Sequence, residues 1–144
     1  MLVQQLSIFI ENRSGRLQEV FKTLGQAGVT IKALSVSDTS DFGILRLIVT
    51  DPEKAVEVLK KELFSVHLND VFMISAVDLA NGLGSVLQVL AEEGVSIEYM
   101  YAFSCVNREI VVMRTDDPGK TVALLREREI ETLGNDFLLA CNQN

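Results

Sequence analysis

The chain has 144 residues, 48% of them hydrophobic and 23% charged, the composition of an ordinary globular protein. Its formal net charge is −7 and its Lys and Arg residues are scattered without a run, so it lacks the positive patch that a nucleic-acid partner requires. No apolar run approaches the roughly 20 residues that span a bilayer, and no basic stretch followed by an apolar core opens the chain, which points to a cytoplasmic protein without a membrane partner.

Leu2 to Ile10 alternates apolar and polar positions, with Leu6, Ile8 and Ile10 on one side, as a strand does. Asn12 to Gly15 carries helix-start chemistry, since Asn and Ser are good caps and Gly permits a tight turn. From Arg16 the period becomes helical: Leu17, Val20, Phe21, Leu24 and Ala27 form one apolar stripe. Gly28 is placed for the left-handed turn that ends a helix. Thr30 to Ser37 reads as a second strand, Asp38-Thr39-Ser40-Asp41 as a turn, and Gly43 to Thr50 as a third strand. Asp51 caps and Pro52 opens a second helix, with Ala55, Val56, Leu59 and Leu63 as its buried side. Phe64, Val66 and Leu68 alternate as a short fourth strand.

The same text is then written again. Gly28 to Gly94 is a shift of 66 residues (94 − 28), and Leu17/Leu83, Ile8/Ile74, Val20/Val86, Leu24/Leu90, Ile31/Ile97, Ile44/Ile110, Asp51/Asp117, Pro52/Pro118 and Leu59/Leu125 all keep it. Identical residues at one shift mean an internal duplication. The second copy has expected strands near Val71–Asp78, Ser96–Ser104, Glu109–Thr115 and Ile130–Leu133, and expected helices near Gly82–Glu93 and Pro118–Arg126. Each unit therefore reads β-α-β-β-α-β, the ferredoxin-like pattern: an α+β fold with an antiparallel sheet and both helices on one face. The expected units are 1–69 and 70–144, joined at Asn69-Asp70 without a linker and so packed rigidly. Asn135-Asp136-Phe137-Leu138-Leu139-Ala140 matches Asn69-Asp70-Val71-Phe72-Met73-Ile74 at the same shift, which predicts an extra C-terminal strand that must cover a sheet edge.

Cys105 and Cys141 lie in apolar, strand-like runs with no metal-ligand spacing and read as reduced, buried thiols. His67, the single histidine, has no second ligand nearby and reads as a strand or surface residue. No metal or cofactor is expected. Tyr99, Met100, Tyr101 and Phe103 form the most aromatic stretch; alternate members pack on the helices, and the others suit a pocket or subunit contact.

The stretch Asn12–Leu17 leaves a strand and enters a helix, so the first backbone N–H groups of that helix point outward. With the positive end of the helix dipole they suit a carboxylate or phosphate. Asn12, and Asp78 at the equivalent position, offer side-chain oxygens to an ammonium group. A carboxylate receptor beside an ammonium receptor describes an α-amino-acid site, to which Thr30 and Ser96 add hydroxyls.

Glu11-Asn12-Arg13-Ser14-Gly15-Arg16-Leu17, its spacing to Gly28-Val29-Thr30-Ile31 and the element order resemble the ACT domain family of amino-acid-binding regulatory modules. The first loop is similar to that of the serine-binding ACT domain of phosphoglycerate dehydrogenase. Gly94-Val95-Ser96-Ile97-Glu98-Tyr99-Met100-Tyr101-Ala102-Phe103 resembles small stand-alone tandem ACT proteins. The resemblance implies a non-enzymatic sensor that holds a free L-amino acid where two ACT units meet, works as a homo-oligomer, most simply a dimer, and acts through a regulated enzyme or regulator. It assigns Asn12 and Asp78 to the amino group, and the amides of Ser14, Gly15, Arg16, Leu17, Asn81, Gly82 and Leu83 to the carboxylate. Thr30 and Ser96 match a side-chain contact. Ser14 stands where the family usually has Pro, the second loop has neither Pro nor Arg, and Gly82 aligns with Arg16 rather than with Gly15. Two other readings stay open: a ligand-free assembly module, and an acylphosphatase-like hydrolase in which Arg13 holds a phosphate, although the repeat lacks an equivalent Arg.

Overall fold

The computed structural model describes residues 1–11, 13–38, 42–76 and 78–141, with the side chain of Asp38 excepted. These residues form two compact units, one of Gln4–Asn69 and one of Asp70–Asn144 together with Met1–Val3.

In the first unit β1 (Val3–Glu11), α1 (Arg16–Gln26), β2 (Ile31–Asp38), β3 (Phe42–Val49), α2 (Pro52–Lys61) and the first half of β4 (Ser65–Ala76) follow in order. The strands lie side by side as β2-β3-β1-β4. Both β1 and β2 pair antiparallel with β3, through Leu6↔Leu47, Ile8↔Leu45 and Ile10↔Gly43 on one side and Leu34↔Leu47 and Val36↔Leu45 on the other. The alternation seen in the sequence sets which face is buried. Leu6, Ile8, Ile10, Leu45, Leu47 and Val49 pack with Val20 and Leu24 of α1 and with Ala55 and Leu59 of α2. Asp51 caps α2 as expected, accepting from the Lys54 amide at 3.2 Å, and Gly28 ends α1's turn with φ +75.

The second unit repeats the order with the second half of β4, a π-helical turn at Leu79–Leu83 leading into α3 (Gly84–Glu92), β5 (Ile97–Cys105), β6 (Arg108–Thr115), α4 (Pro118–Glu127) and β7 (Thr132–Leu133). Its strand order is β7-β4-β6-β5, with antiparallel β4–β6, β4–β7 and β5–β6 pairs. Phe72, Ile74, Val111 and Met113 meet Val86 and Leu90 of α3 and Val122 and Leu125 of α4. Asp117 caps α4 through the Lys120 amide at 3.1 Å, as Asp51 caps α2. The N-terminal amine of Met1 donates to Thr132 Oγ1 at 3.0 Å, and Val3 is 2% exposed.

Four expectations are corrected. Asn69-Asp70 is not a join between separate strands: both residues lie inside the twelve-residue β4, and the Asn69 side chain accepts from the Ser7 hydroxyl. Asn135–Ala140 is not a strand but the short helix α5. Its first turn closes on the Gly134 carbonyl, which accepts from the Phe137 and Leu138 amides, and it buries Leu138. Cys105 and Cys141 are not separate thiols: they form a disulfide, with Cα atoms 5.9 Å apart, between the end of β5 and the end of α5. Leu63 is not on the buried side of α2; it follows the helix at φ +66 and is 89% exposed.

Met100 and Ala102 sit opposite Met113 and Val111 on the helix-covered face, whereas Tyr99, Tyr101 and Phe103 lie on the other face and are half-buried. His67 is an exposed β4 residue whose ring meets the edge of Phe9 at 5.8 Å. Among the described residues no helix is long and apolar enough to cross a membrane.

Candidate functional site

The turn between β1 and α1 is built by Gly15. Its φ of +89 is left-handed backbone that glycine alone adopts without cost, and it serves as the N-cap of α1. Among the described residues no side chain caps this helix: Ser14, a capping residue type, is exposed and does not reach its amides. The Arg16 side chain leaves the turn altogether. Its guanidinium lies 4.1 Å over the Phe64 ring, and Nη1 donates to Glu19 Oε2 at 2.7 Å, while the Arg16 amide donates to the Arg13 carbonyl at 3.4 Å. Asn12, the expected ammonium receptor, lies outside the described residues.

Beside this turn is a cleft of about 170 Å³ lined by Ile10, Glu11, Arg13, Leu17, Val36, Gly43 and Leu45. The sheet register produces it. Ile10 pairs with Gly43, which has no side chain to fill the space, and Leu45 pairs with Val36 of the edge strand β2. Leu17 in the first turn of α1 is 41% exposed and supplies the opposite wall. The lining is apolar apart from one carboxylate and one guanidinium, Glu11 and Arg13, whose charged atoms are 4.0 Å apart with both side chains solvated. Opposite charges on an apolar cleft next to a helix start match a zwitterion that carries an apolar side chain.

The other expected residues divide. Thr30 stands just before β2, where its amide donates to Thr50 Oγ1 at 3.2 Å. The register Ile31↔Val49 and Ser37↔Ile44 puts Thr30 at the opposite end of β2 from the β1–α1 turn, roughly 20 Å away at about 3.3 Å per residue. Ser96 is its counterpart; its carbonyl accepts from the Asp116 amide at 3.1 Å. Neither joins the turn of its own unit. In the second loop Asp78 is the N-cap of the π-helical turn. Its Oδ1 accepts from the Ala80 amide at 3.1 Å and its Oδ2 from Asn81 Nδ2 at 2.7 Å. Its carbonyl accepts from the Gly82 amide at 2.7 Å. Gly82 lets the turn approach β4, since a Cβ there would stand 3.2 Å from the Ala76 Cβ. Leu83 packs on the core.

The cleft adds Ile10, Glu11, Val36, Gly43 and Leu45 to the residues that the sequence points to, and Arg13, which the sequence offers to a phosphate, lines it as well. Gly43 carried a signal, as a glycine opening an apolar strand often marks a close approach or a gap in packing.

The comparisons with known proteins agree with this architecture. The family model for the ACT domain pair matches residues 1–140, and the chain belongs to that family. A solved protein of Bacteroides thetaiotaomicron, BT0572, is 44% identical over 92% of both chains with a TM-score of 0.87. The regulatory subunit of aspartate kinase from Thermus thermophilus, solved free of ligand, shares the fold at 18% identity and TM-score 0.63, over 88% of this chain and 93% of that one. Clostridium acetobutylicum aspartate kinase does so at 18% identity and TM-score 0.53, over 88% of this chain and 33% of that one. No curated protein matches the chain.

Proposed function

We propose that this chain is a non-enzymatic sensor that binds a free L-amino acid in the cleft beside the β1–α1 turn. The observation that carries the reading is the juxtaposition of that apolar cleft, with its Glu11–Arg13 pair, and a helix start that no described side chain caps. The ligand carboxylate takes the amides of Ser14, Gly15, Arg16 and Leu17, that of Arg16 giving up its long 3.4 Å bond to the Arg13 carbonyl, helped by Arg13 and by the helix dipole. The ammonium takes the Glu11 carboxylate and the Asn12 side chain. The ligand's own side chain lies along Leu17, Val36 and Leu45. Ligand binding favours one arrangement of the assembly over another only through a difference in affinity between the two. The output passes through a homo-oligomer and a regulated partner enzyme or regulator, which is consistent with the exposed Leu34, Val36 and Phe42 along β2 and β3, each at least 50% exposed.

Thermal denaturation with each proteinogenic amino acid at millimolar concentration tests this. A ligand at about 100 times its dissociation constant adds roughly 2.7 kcal/mol, a rise of several degrees for a chain of this size. The rise should appear with one or a few amino acids and vanish in Asn12→Ala and in Leu17→Lys. No rise with any of them overturns the sensor.

A further inference from the structure

The disulfide between Cys105 and Cys141 fastens an element that little else holds. In the second sheet β7 lies at one edge and β5 at the other, in the order β7-β4-β6-β5. The chain leaves β7 at Leu133, and α5 carries it to Cys141, which is bridged to Cys105 at the end of β5. Cys105 alternates with Tyr101 and Phe103, so the bridge draws the end of α5 to the sheet face away from α3 and α4. Apart from the bridge, α5 buries one side chain, Leu138, and a helix of six residues does not persist alone.

The bridge is open to a reagent. A cleft of about 180 Å³ is lined by both cysteines together with Val106, Arg108, Phe137 and Ala140. Cys105 is 7% exposed and Cys141 is half-buried, so the Cys141 sulfur is the one that an incoming thiolate reaches. Arg108 stands across the strand pair from Cys105. A two-residue turn closes this hairpin, with Val106 at φ +51 and Asn107 at φ +59, left-handed backbone that a β-branched residue adopts only at a cost. The turn sets Cys105 and Arg108 opposite each other, with Cβ atoms about 5 Å apart as in any such pair. A guanidinium in that place stabilises the negative charge that Cys105 takes on when the S–S bond breaks.

We propose that the Cys105–Cys141 bridge is a thiol-exchange site at which a dithiol releases α5. A thiolate of the dithiol bonds to the Cys141 sulfur; the S–S bond breaks, and Cys105 leaves as a thiolate beside Arg108 and takes a proton from solvent. The second thiol of the reagent gives its proton to solvent and attacks the reagent's own sulfur in the mixed disulfide, and Cys141 leaves and is protonated in turn. The dithiol is oxidised to its internal disulfide while the bridge of the protein is reduced to a pair of thiols. Where thiols are kept reduced, a bridge of this kind serves as a switch rather than as a permanent staple. The release of α5 stands whether or not the first unit binds an amino acid.

The test is reduction of the intact protein, first equilibrated with oxidised glutathione, by dithiothreitol at about 1 mM without denaturant. Aliquots are quenched by alkylation and weighed by mass spectrometry. Alkylation of both cysteines within minutes is expected, and a bridge that survives until denaturant is added overturns the proposal. So does alkylation of both before any dithiothreitol is present, since the bridge would then not form. Arg108→Gln, at an exposed position, should slow the reduction about threefold or more, and Arg108→Lys should restore it; an equal rate in all three overturns the part given to Arg108. With reduced glutathione as the only thiol, peptide mapping should find the mixed disulfide on Cys141, and finding it on Cys105 reverses the order of the steps and overturns it. After reduction, hydrogen exchange should speed up at the amides of Leu138 and Cys141, which donate to the carbonyls of Gly134 and Leu138. Protection that outlasts the bridge shows that α5 is not released, and the proposal fails.

Discussion

Gly15 and Leu63 are mirror cases of one backbone constraint. Gly15 takes φ +89 with nothing within 4 Å of the position a Cβ would occupy, so Gly15→Ala pays only for left-handed backbone, about 1–2 kcal/mol, without a clash. Leu63 takes φ +66 just past α2, where its amide and that of Phe64 close on the carbonyls of Lys60 and Leu59, a helix ending that favours glycine. Its side chain is 89% exposed, so little burial is lost on removing it. Leu63→Gly is therefore expected to stabilise the protein by roughly 0.5–1 kcal/mol, the gain from relieved strain exceeding the entropy glycine adds to the unfolded chain. Urea denaturation of both variants checks the two signs. In the cores, Leu24 and its counterpart Leu90 are at most 1% exposed, and each truncated to Ala should cost about 2–5 kcal/mol.

At the scale of elements, α5 is the least expected piece and the most dependent on one bond. Six residues are too few to hold a helix by themselves; α5 keeps its place by burying Leu138 and by the link from Cys141 to Cys105. A cross-link spanning 36 residues is worth about 4 kcal/mol on the chain-entropy model. Cys141→Ser should lose that much stability in oxidising buffer and make the melting temperature indifferent to added reductant. The sequence misled here because residues 135–140 share Asn-Asp and the apolar run of 69–74, yet the β4 backbone that such a strand would seek is already paired with β6 and β7. Elements whose signals are local were legible: Asp51-Pro52 and Asp117-Pro118 marked two helix starts, and the alternation in Leu6, Ile8 and Ile10 fixed the buried face of β1. The candidate site was legible only where it is local, at the turn before α1. Its cleft depends on Gly43 lying opposite Ile10, and the register of β1 on β3, strands separated in sequence by α1 and β2, is set by the packing of whole faces rather than by any one residue.

For the whole molecule, a net charge of −7 governs what the surface meets. A polyanion should gain nothing from it, because few counterions are released by binding; on a heparin column at about 0.1 M salt the protein is expected to elute unretained, and retention released by salt would show a basic face the composition hides. The other molecular property follows from the grouping of Met1–Val3 with Asp70–Asn144. On the ribosome the residues of Gln4–Asn69 emerge together and can begin to fold while synthesis continues. Val3, buried in the finished protein, must wait for partners not yet made, and Met1 waits for Thr132 near the far end of the chain. Residues 70–144 close around residues 1–3, which are synthesised well before them. Contacts of such long sequence separation form late and slowly, so the docking of Met1–Val3 is expected to lag behind the folding of Gln4–Asn69.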